Sequence, residues 1–115
     1  MRAWVATPGA LNFGGTNQYL DAPTISVSNA ITVAMWVYDD NFNQSQMYIV
    51  KEPVNTQWLL MTEGGVLRWR GGSTTNLDAA LPSNNGWHHL AATQSGTSAK
   101  IYVDGTLRAS GSVTA

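Results

Sequence analysis

The carboxylates of this sequence are few and poorly placed for hydrolytic chemistry. Glycoside hydrolysis needs two carboxyl groups that flank one bond. Glu52 and Glu63 are the only glutamates, and each follows a different predicted strand. Asp39 and Asp40 are adjacent, so on a strand their side chains would point to opposite faces. The spacing argues against a hydrolase, and we expect no catalytic residues.

The two histidines, His88 and His89, are also adjacent. In a regular strand their rings point to opposite faces, so they cannot bind one metal ion together. Cysteine is absent, and no Gly-x-Ser-x-Gly motif offers a nucleophile. We therefore expect both rings to play a structural role, with their nitrogens hydrogen-bonded to backbone groups.

An oxygen-rich segment follows the predicted strand over residues 31–38. Asp39, Asp40 and Asn41 are candidate calcium ligands, with Asn43 and Asp21 as further oxygen donors. The alternative is plain turn chemistry, because Asp and Asn accommodate the backbone conformations of tight turns. No other metal or cofactor is expected.

The aromatic residues carry the strongest functional signal. The chain has five Trp and four Tyr in 115 residues. Alternation along the predicted strands assigns one set of side chains to the core face: Ile31, Val33, Met35, Val37, Met47, Ile49, Leu67, Trp69, Leu90, Ala92, Ile101 and Val103. The opposite face then carries Trp36, Tyr38, Tyr48, Arg68, Arg70, Trp87, His89 and Tyr102.

This second face predicts a ligand-binding surface. The candidate binding residues are Trp36, Tyr38, Tyr48, Arg68, Arg70 and Tyr102. Aromatic rings flanked by arginine suit sugars, because the apolar face of a sugar stacks on a ring while arginine bonds its hydroxyls. The same residue types dominate binding energy in protein interfaces. Alternatively, cross-strand aromatic and arginine pairs stabilise a sheet face, or another segment covers it.

These residues lie on short strands with a period of two. Ile31–Tyr38 alternates clearly, and no window predicts a helix of useful length. Further strands are predicted over residues 10–13, 18–20, 46–51, 57–62, 66–70, 87–94, 99–104 and 106–109. Asp104-Gly105, Glu63-Gly64-Gly65 and Ser95-Gly96-Thr97 predict three hairpin connections. Such short antiparallel strands are typical of a sandwich or jelly roll.

The composition excludes several classes of protein. Charged residues make up 11% and the net charge is −1, so phosphate neutralisation by a basic surface is absent and no nucleic-acid partner is expected. The longest apolar run, Val33–Val37, is too short for a membrane span. The first residues lack a signal-peptide core. Without cysteine, disulfides and thiol chemistry are excluded.

Four segments resemble concanavalin A-like, laminin G-like sandwiches. They are Ala10–Gly15 followed by Tyr19-Leu20, Ile31–Val37, Trp87–Thr93 and Ile101–Gly105. Their order and spacing match that family over about residues 10–109. The resemblance implies an all-β antiparallel sandwich forming a single domain over residues 1–115. It also implies a range of functions: lectins, carbohydrate-binding modules, adhesion modules, virion parts and some glycosidases.

Three departures from the family pattern matter. An acidic residue often follows the Phe of the first motif, and here Gly14 stands there, which argues against a calcium site that relies on it. The family's glycosidases carry Glu-x-Asp-x-x-Glu on one strand, which this chain lacks. Family members also continue for several strands after the Val-Asp-Gly hairpin. We therefore expect a sandwich that is incomplete at its C-terminal end, with Leu90 and Val103 under a partial lid.

The sequence as a whole predicts a non-catalytic binding or assembly module. Its partner is a glycan or a protein, and open strand edges predict a homo-oligomer or docking on a larger assembly. The alternative is a virion structural protein, such as a capsid decoration or tail-fibre module, and a hydrolase remnant is the least favoured. An extracellular or virion location fits these functions best.

Overall fold

The computed structural model describes residues 4–7, 10–12, 20–23, 30–51, 58–72, 75–82 and 85–114. Every regular element in these ranges is a β-strand. The strands are β1 Trp4–Thr7, β2 Ala10–Asn12, β3 Ala30–Asp39, β4 Gln46–Val50, β5 Leu59–Glu63, β6 Val66–Gly71, β7 Thr75–Ala80, β8 Gly86–Ser95, β9 Ser98–Val103 and β10 Thr106–Ser112. None of the described ranges contains a helix long and apolar enough to cross a membrane.

The strands form two four-stranded antiparallel sheets and one short ribbon. The front sheet has the order β10-β9-β8-β3, and the back sheet has the order β4-β5-β6-β7. β1 and β2 pair in a separate two-stranded ribbon. The two larger sheets share one apolar core, so the predicted all-β antiparallel sandwich is confirmed.

The hairpin turns follow directly from the turn residues. Gly64 and Gly65 connect β5 to β6, and both have positive φ, at 60° and 83°. Asp104 and Gly105 connect β9 to β10 with φ of 51° and 79°. Two consecutive positive φ angles define the turn that matches the right-handed twist of paired strands. All three predicted hairpin connections are confirmed, the third at Gly96-Thr97 between β8 and β9.

Most predicted strands are found with shifts of one or two residues at their ends. The exceptions are instructive. β7, Thr75–Ala80, was not predicted, because only Leu77 and Ala79 are apolar in it and polar residues fill the other positions. β1 was also missed, and Leu20, predicted to end a strand, lies outside any strand. Residues 18 and 19 of that prediction, the Phe13-Gly14 pair and Glu52 lie outside the described residues.

The core lies between the inner faces of the two sheets. Its buried side chains are Val33, Trp58, Leu60, Leu67, Trp69, Ala79, Leu90, Ala92, Ala99, Ile101, Val103 and Val113. Trp58 and Trp69 stack in it, with ring centroids 5.7 Å apart and an angle of 16° between their planes. Burial of large aromatic rings contributes strongly to the stability of a domain this small.

The expectation of a partial lid over Leu90 and Val103 is wrong, since both are buried. The last described residues help to close the sandwich beside the back sheet. Val113 is buried in the core, and its N–H donates to the Thr97 carbonyl at 2.8 Å. The Thr114 carbonyl accepts a hydrogen bond from Gln94 Nε2 at 3.0 Å. The C-terminal residues therefore both extend β10 to Ser112 and cover one end of the core with Val113.

Candidate functional site

Four ring-bearing side chains form an exposed cluster on the outer face of the front sheet. Trp36 lies directly opposite His89, and Tyr38 lies directly opposite Trp87, across the β3–β8 pair. The exposed fractions of Trp36, Tyr38 and Trp87 are 67%, 62% and 51%. We call these four residues the aromatic patch.

Both pairs of the aromatic patch meet edge to face. The Trp36 and His89 centroids are 5.3 Å apart with an interplanar angle of 71°. The Tyr38 and Trp87 centroids are 5.5 Å apart with an angle of 69°. Edge-to-face contact is the favoured geometry of aromatic pairs, so the rings hold one another in place without being buried. The predicted outward orientation of all four side chains is confirmed.

The outer face of the front sheet continues from the patch in further cross-strand rows. The next row contains Ala34, Ala91, Tyr102 and Leu107. Tyr102 is half-buried and Leu107 is exposed, so the apolar surface extends to β10. Tyr102 therefore shares the face of Trp36 and Tyr38, as the sequence predicts.

A shallow depression of about 400 Å³ lies beyond the row of Ala34 and Ala91, on the side away from the aromatic patch. Its lining includes Thr32, Thr93, Ser98 and Lys100, and Tyr102 stands at its border with the patch. Hydroxyl groups and one ammonium group thus follow the aromatic rings along the same face. This polar region has no distinctive signal in the sequence, because Ser and Thr are scattered over many strands.

The placement of Tyr48 on this face is wrong. A β-bulge interrupts the pairing of β4 with β5 between Met47 and Ile49, so the alternation of the strand shifts there. Tyr48 packs against the core, and Met47, predicted to be inside, is exposed. The Tyr48 hydroxyl donates to Asp39 Oδ2 at 2.9 Å. Burial, followed by the hydrogen bond to Asp39, raises the pKa of Tyr48 well above its usual value.

The expected single face of aromatic and arginine side chains is also wrong. Arg68 and Arg70 lie on β6, which belongs to the back sheet, whereas the aromatic patch lies on the front sheet. Alternation separates inward from outward positions, but it does not assign an outward position to one sheet or the other. The arginines therefore lie on the opposite outer surface of the sandwich, with the core between them and the patch.

On the back sheet the arginines are bonded to their neighbours. Arg68 donates to both carboxylate oxygens of Asp78, through Nε at 2.7 Å and Nη2 at 3.0 Å, and through Nη1 to Glu63 at 2.6 Å. The fork of bonds to Asp78 is the main cause that raises the pKa of Arg68. Arg70 Nε donates to Asn76 Oδ1 at 2.8 Å. Asp78 and Glu63 thus act as partners of one guanidinium on an open sheet surface.

Asp39 is a buried carboxylate that is surrounded by donors. Oδ1 accepts hydrogen bonds from the Asn41 backbone N–H at 2.8 Å and from Gln46 Nε2 at 3.2 Å, in addition to the Tyr48 bond at Oδ2. Asp40 is exposed. These contacts fit the turn alternative, because donors rather than open space face the carboxylate. Among the described residues no three His, Asp or Glu side chains cluster as a metal site. Calcium binding by oxygen ligands stays a prediction.

His88 is buried, and its Nδ1 lies 2.6 Å from Asp104 Oδ2. The ring also meets Phe42 edge to face, with centroids 5.5 Å apart. A structural role for His88 is therefore confirmed, with the Asp104 carboxylate as a partner that the sequence does not predict. Asp104 lies sixteen residues after His88 in the sequence. The two residues meet only because β8 pairs with β9 and the β9–β10 turn follows, so the sequence alone does not predict the pair. The hydrogen bond with His88 lowers the pKa of Asp104.

Comparison with known proteins bears on these observations. The family model of the concanavalin A-like lectin/glucanases superfamily, of laminin G type, matches residues 13–115. No curated protein and no solved structure matches the chain. The match spans nearly the whole chain and agrees with the two antiparallel sheets. The chain therefore belongs to the concanavalin A-like lectin/glucanase superfamily.

Proposed function

We propose that the chain is a non-catalytic carbohydrate-recognition module that binds glycans through the aromatic patch. The observation that carries the proposal is the exposure of Trp36, Tyr38 and Trp87 side by side on one open sheet surface. Exposed aromatic clusters of this kind mark interaction sites on soluble domains.

The chemistry of the patch suits a sugar ring. The C–H face of a pyranose is apolar and packs on an indole or phenol ring, while its hydroxyls need hydrogen-bond donors and acceptors. His89, within the patch, and the phenol of Tyr38 supply such partners beside the exposed indole of Trp36. The edge-to-face pairs also fix the rings before binding, which reduces the entropy cost of association.

The absence of catalysis is part of the same proposal. Glycosidases use two carboxyl groups on either side of a bound bond. Glu63 and Asp78 both bond Arg68, and they lie on the back sheet, away from the patch. Asp39 is bonded to Tyr48 and Gln46 below the surface. These placements support binding without turnover.

A glycan array tests the proposal. We expect the wild-type chain to bind a subset of glycans and Trp36→Ala to weaken that binding at least about tenfold, as expected for loss of a central aromatic contact. Met47→Ala is the matched control, because it removes an exposed apolar side chain from β4 in the back sheet. This control should bind like the wild type.

The stability of Trp36→Ala decides how its loss of binding is interpreted. Because Trp36 is exposed, the substitution should change the free energy of unfolding by less than about 1 kcal/mol, whereas a buried Trp→Ala costs about 3–5 kcal/mol. A folded variant without binding supports the proposal. Wild-type chain that binds no glycan on the array, or equal binding by Trp36→Ala, contradicts it.

A protein partner is the second candidate, and Leu107 is the observation that favours it. Leu107 is exposed and lies in the row with Tyr102, so the apolar surface reaches the outer strand β10. A second copy of the chain could cover this surface, as in a homo-oligomer or a virion assembly. Light scattering tests this candidate. A dimer or larger oligomer that dissociates in both Trp36→Ala and Leu107→Ser supports it, and a stable wild-type monomer contradicts self-assembly.

A further inference from the structure

We infer that the depression beside the aromatic patch binds the acidic group of the same ligand, so that the preferred glycan is an anionic oligosaccharide bearing carboxylates. This inference rests on the proposed function and specifies its ligand class. Three observations support it. They are the order of the cross-strand rows on the outer face of the front sheet, the lack of carboxylates at the outward-facing positions of its strands, and the lack of an ion-pairing carboxylate beside Lys100 among the described residues.

The rows form one continuous surface with an ordered change in chemistry. Trp36 and His89 form the row of the patch that lies nearest the depression. The next row contains Ala34 and Ala91, and the row after it contains Thr32 and Thr93. The small alanine side chains leave space between the rings and the hydroxyls. Trp36 and Thr32 are four residues apart on one strand, a distance of about 13 Å. A ligand that contacts both ends must therefore be an oligosaccharide rather than a single sugar.

The depression offers hydrogen-bonding groups of the kind that sugars need. Thr32, Thr93, Ser95 and Ser98 contribute hydroxyls to its lining. Each hydroxyl both donates and accepts, so it matches a sugar hydroxyl in either orientation. These groups alone would accept a neutral sugar as readily as an acidic one.

Lys100 supplies the preference for an anion. It pairs with Thr93 across β8 and β9, lies in the lining of the depression and is exposed. Among the described residues no carboxylate lies within ion-pairing distance of it. By contrast, Arg68 on the back sheet is held by two carboxylates. Lys100 is therefore a cation whose counter-charge can come from a ligand.

The distribution of charge around Lys100 also favours an anionic ligand. No outward-facing position of β3, β8, β9 or β10 carries a carboxylate. Asp40 and Asp104 lie beyond the ends of β3 and β9, and Asp104 is engaged by His88 and the His89 N–H. An anionic sugar would thus approach an aromatic and hydroxyl surface that offers the Lys100 ammonium group and has no carboxylate at the outward-facing strand positions. Complementary charge of this kind adds selectivity more than raw affinity.

The inference is tested with pairs of ligands that differ only in charge. The probes are oligosaccharides of polygalacturonate, alginate and hyaluronan, each compared with its carboxyl-reduced neutral form, and binding is measured by calorimetry at low salt. We expect the wild-type chain to bind at least one acidic form about tenfold more tightly than its reduced form, as for one charge-assisted hydrogen bond. Raising the salt concentration should reduce the difference.

Variants separate this inference from the proposed function. Lys100→Gln should remove most of the preference for the acidic form and leave binding of the neutral form unchanged, whereas Trp36→Ala should weaken both. Arg70→Gln, on the back sheet, is the matched control and should keep the preference. Equal binding of acidic and reduced forms, or a preference that survives Lys100→Gln, overturns the inference while leaving a neutral glycan site at Trp36. If the wild-type chain binds no glycan on the array, the proposed function is overturned instead.

Discussion

The indole N–H of Trp69 and the side-chain oxygen of Gln94 form a hydrogen bond of 2.9 Å that joins the back sheet to the front sheet. Trp69 is fully buried, so no water reaches its N–H. The amide nitrogen of the same Gln94 donates to the carbonyls of Gly96 and Thr114. One side chain therefore ties both sheets and the C-terminal tail together.

Gln94→Met should lower the free energy of unfolding by about 1–3 kcal/mol. Methionine keeps the length of the side chain but leaves the Trp69 N–H buried without an acceptor, and an unsatisfied buried donor carries that cost. Urea denaturation measures the change. Gln44→Met is the control, because Gln44 is exposed and its substitution should shift stability by less than about 0.5 kcal/mol. Equal stability of the two variants would show that the Trp69 bond contributes little.

Gly71→Ala should be destabilising because the sandwich has no room for a methyl group there. A Cβ at Gly71 would clash with Gln94 Oε1 and would lie 2.7 Å from Val113 Cγ2 and 2.8 Å from the Thr114 carbonyl oxygen. Overpacking of this kind costs about 1–3 kcal/mol, and here it also displaces Gln94. Thermal melting followed by circular dichroism measures the loss.

The control for Gly71→Ala is Gly111→Ala on β10. A Cβ there meets only Leu77 Cδ1, at 3.1 Å, and that end of a flexible side chain can move aside. Gly111→Ala should therefore melt close to the wild type. If both variants melted alike, the crowding around Gly71 would not limit stability.

Acid should weaken the fold through Asp104. Its pKa is held below the usual value by the hydrogen bond with His88 and then by the His89 N–H. Because the folded pKa lies below the unfolded value of about 3.9, this contribution is present above that pH and is lost as the pH falls through the folded pKa. The melting temperature of the wild type should therefore decline as the pH falls below about 4.

Asp104→Asn isolates that contribution. Asn tolerates the positive φ of the turn, so the hairpin is kept while the titrating group is removed. The variant should melt lower than the wild type at neutral pH and show a shallower decline in acid. Asp40→Asn, on an exposed neighbour of β3, should keep the wild-type acid profile. An unchanged profile in Asp104→Asn would exclude the His88 pair as the acid-sensitive contact.

Removal of calcium should leave the fold unchanged. The two oxygens of Asp39 already accept hydrogen bonds from Asn41, Gln46 and Tyr48, so a cation would have to displace these donors. Melting curves in EDTA and in millimolar calcium should coincide, since a ligand that binds only the folded state raises its melting temperature. A calcium-dependent increase that is lost in Asp40→Asn would instead support calcium binding by the candidate ligands Asp39, Asp40 and Asn41.

The features that the sequence predicts well are those that depend on near neighbours. Period-two alternation predicts Trp36 and Tyr38 outside and Val33 inside β3, and a Gly64-Gly65 or Asp104-Gly105 pair predicts its turn from the backbone conformation that it permits. Such features need no knowledge of which strands pair.

The features that the sequence could not predict depend on distant partners. Tyr48 faces the core because of a bulge in the pairing of β4 with β5, and nothing in residues 46–50 alone predicts that bulge. Arg68 faces away from Trp36 because β6 belongs to the other sheet. Lys100 enters the candidate site only through its pairing with Thr93. Each of these facts is set by sheet order and register.

The positions of the tryptophans make the chain its own optical reporter. Trp58 and Trp69 stack at 5.7 Å inside the core, so we expect coupling of their transitions to give a circular dichroism signal that reports on an intact sandwich. Trp36 and Trp87 are exposed in the aromatic patch, so their fluorescence responds to whatever covers that face. A titration that quenches emission while the coupled signal persists would therefore distinguish ligand binding from unfolding without any added label.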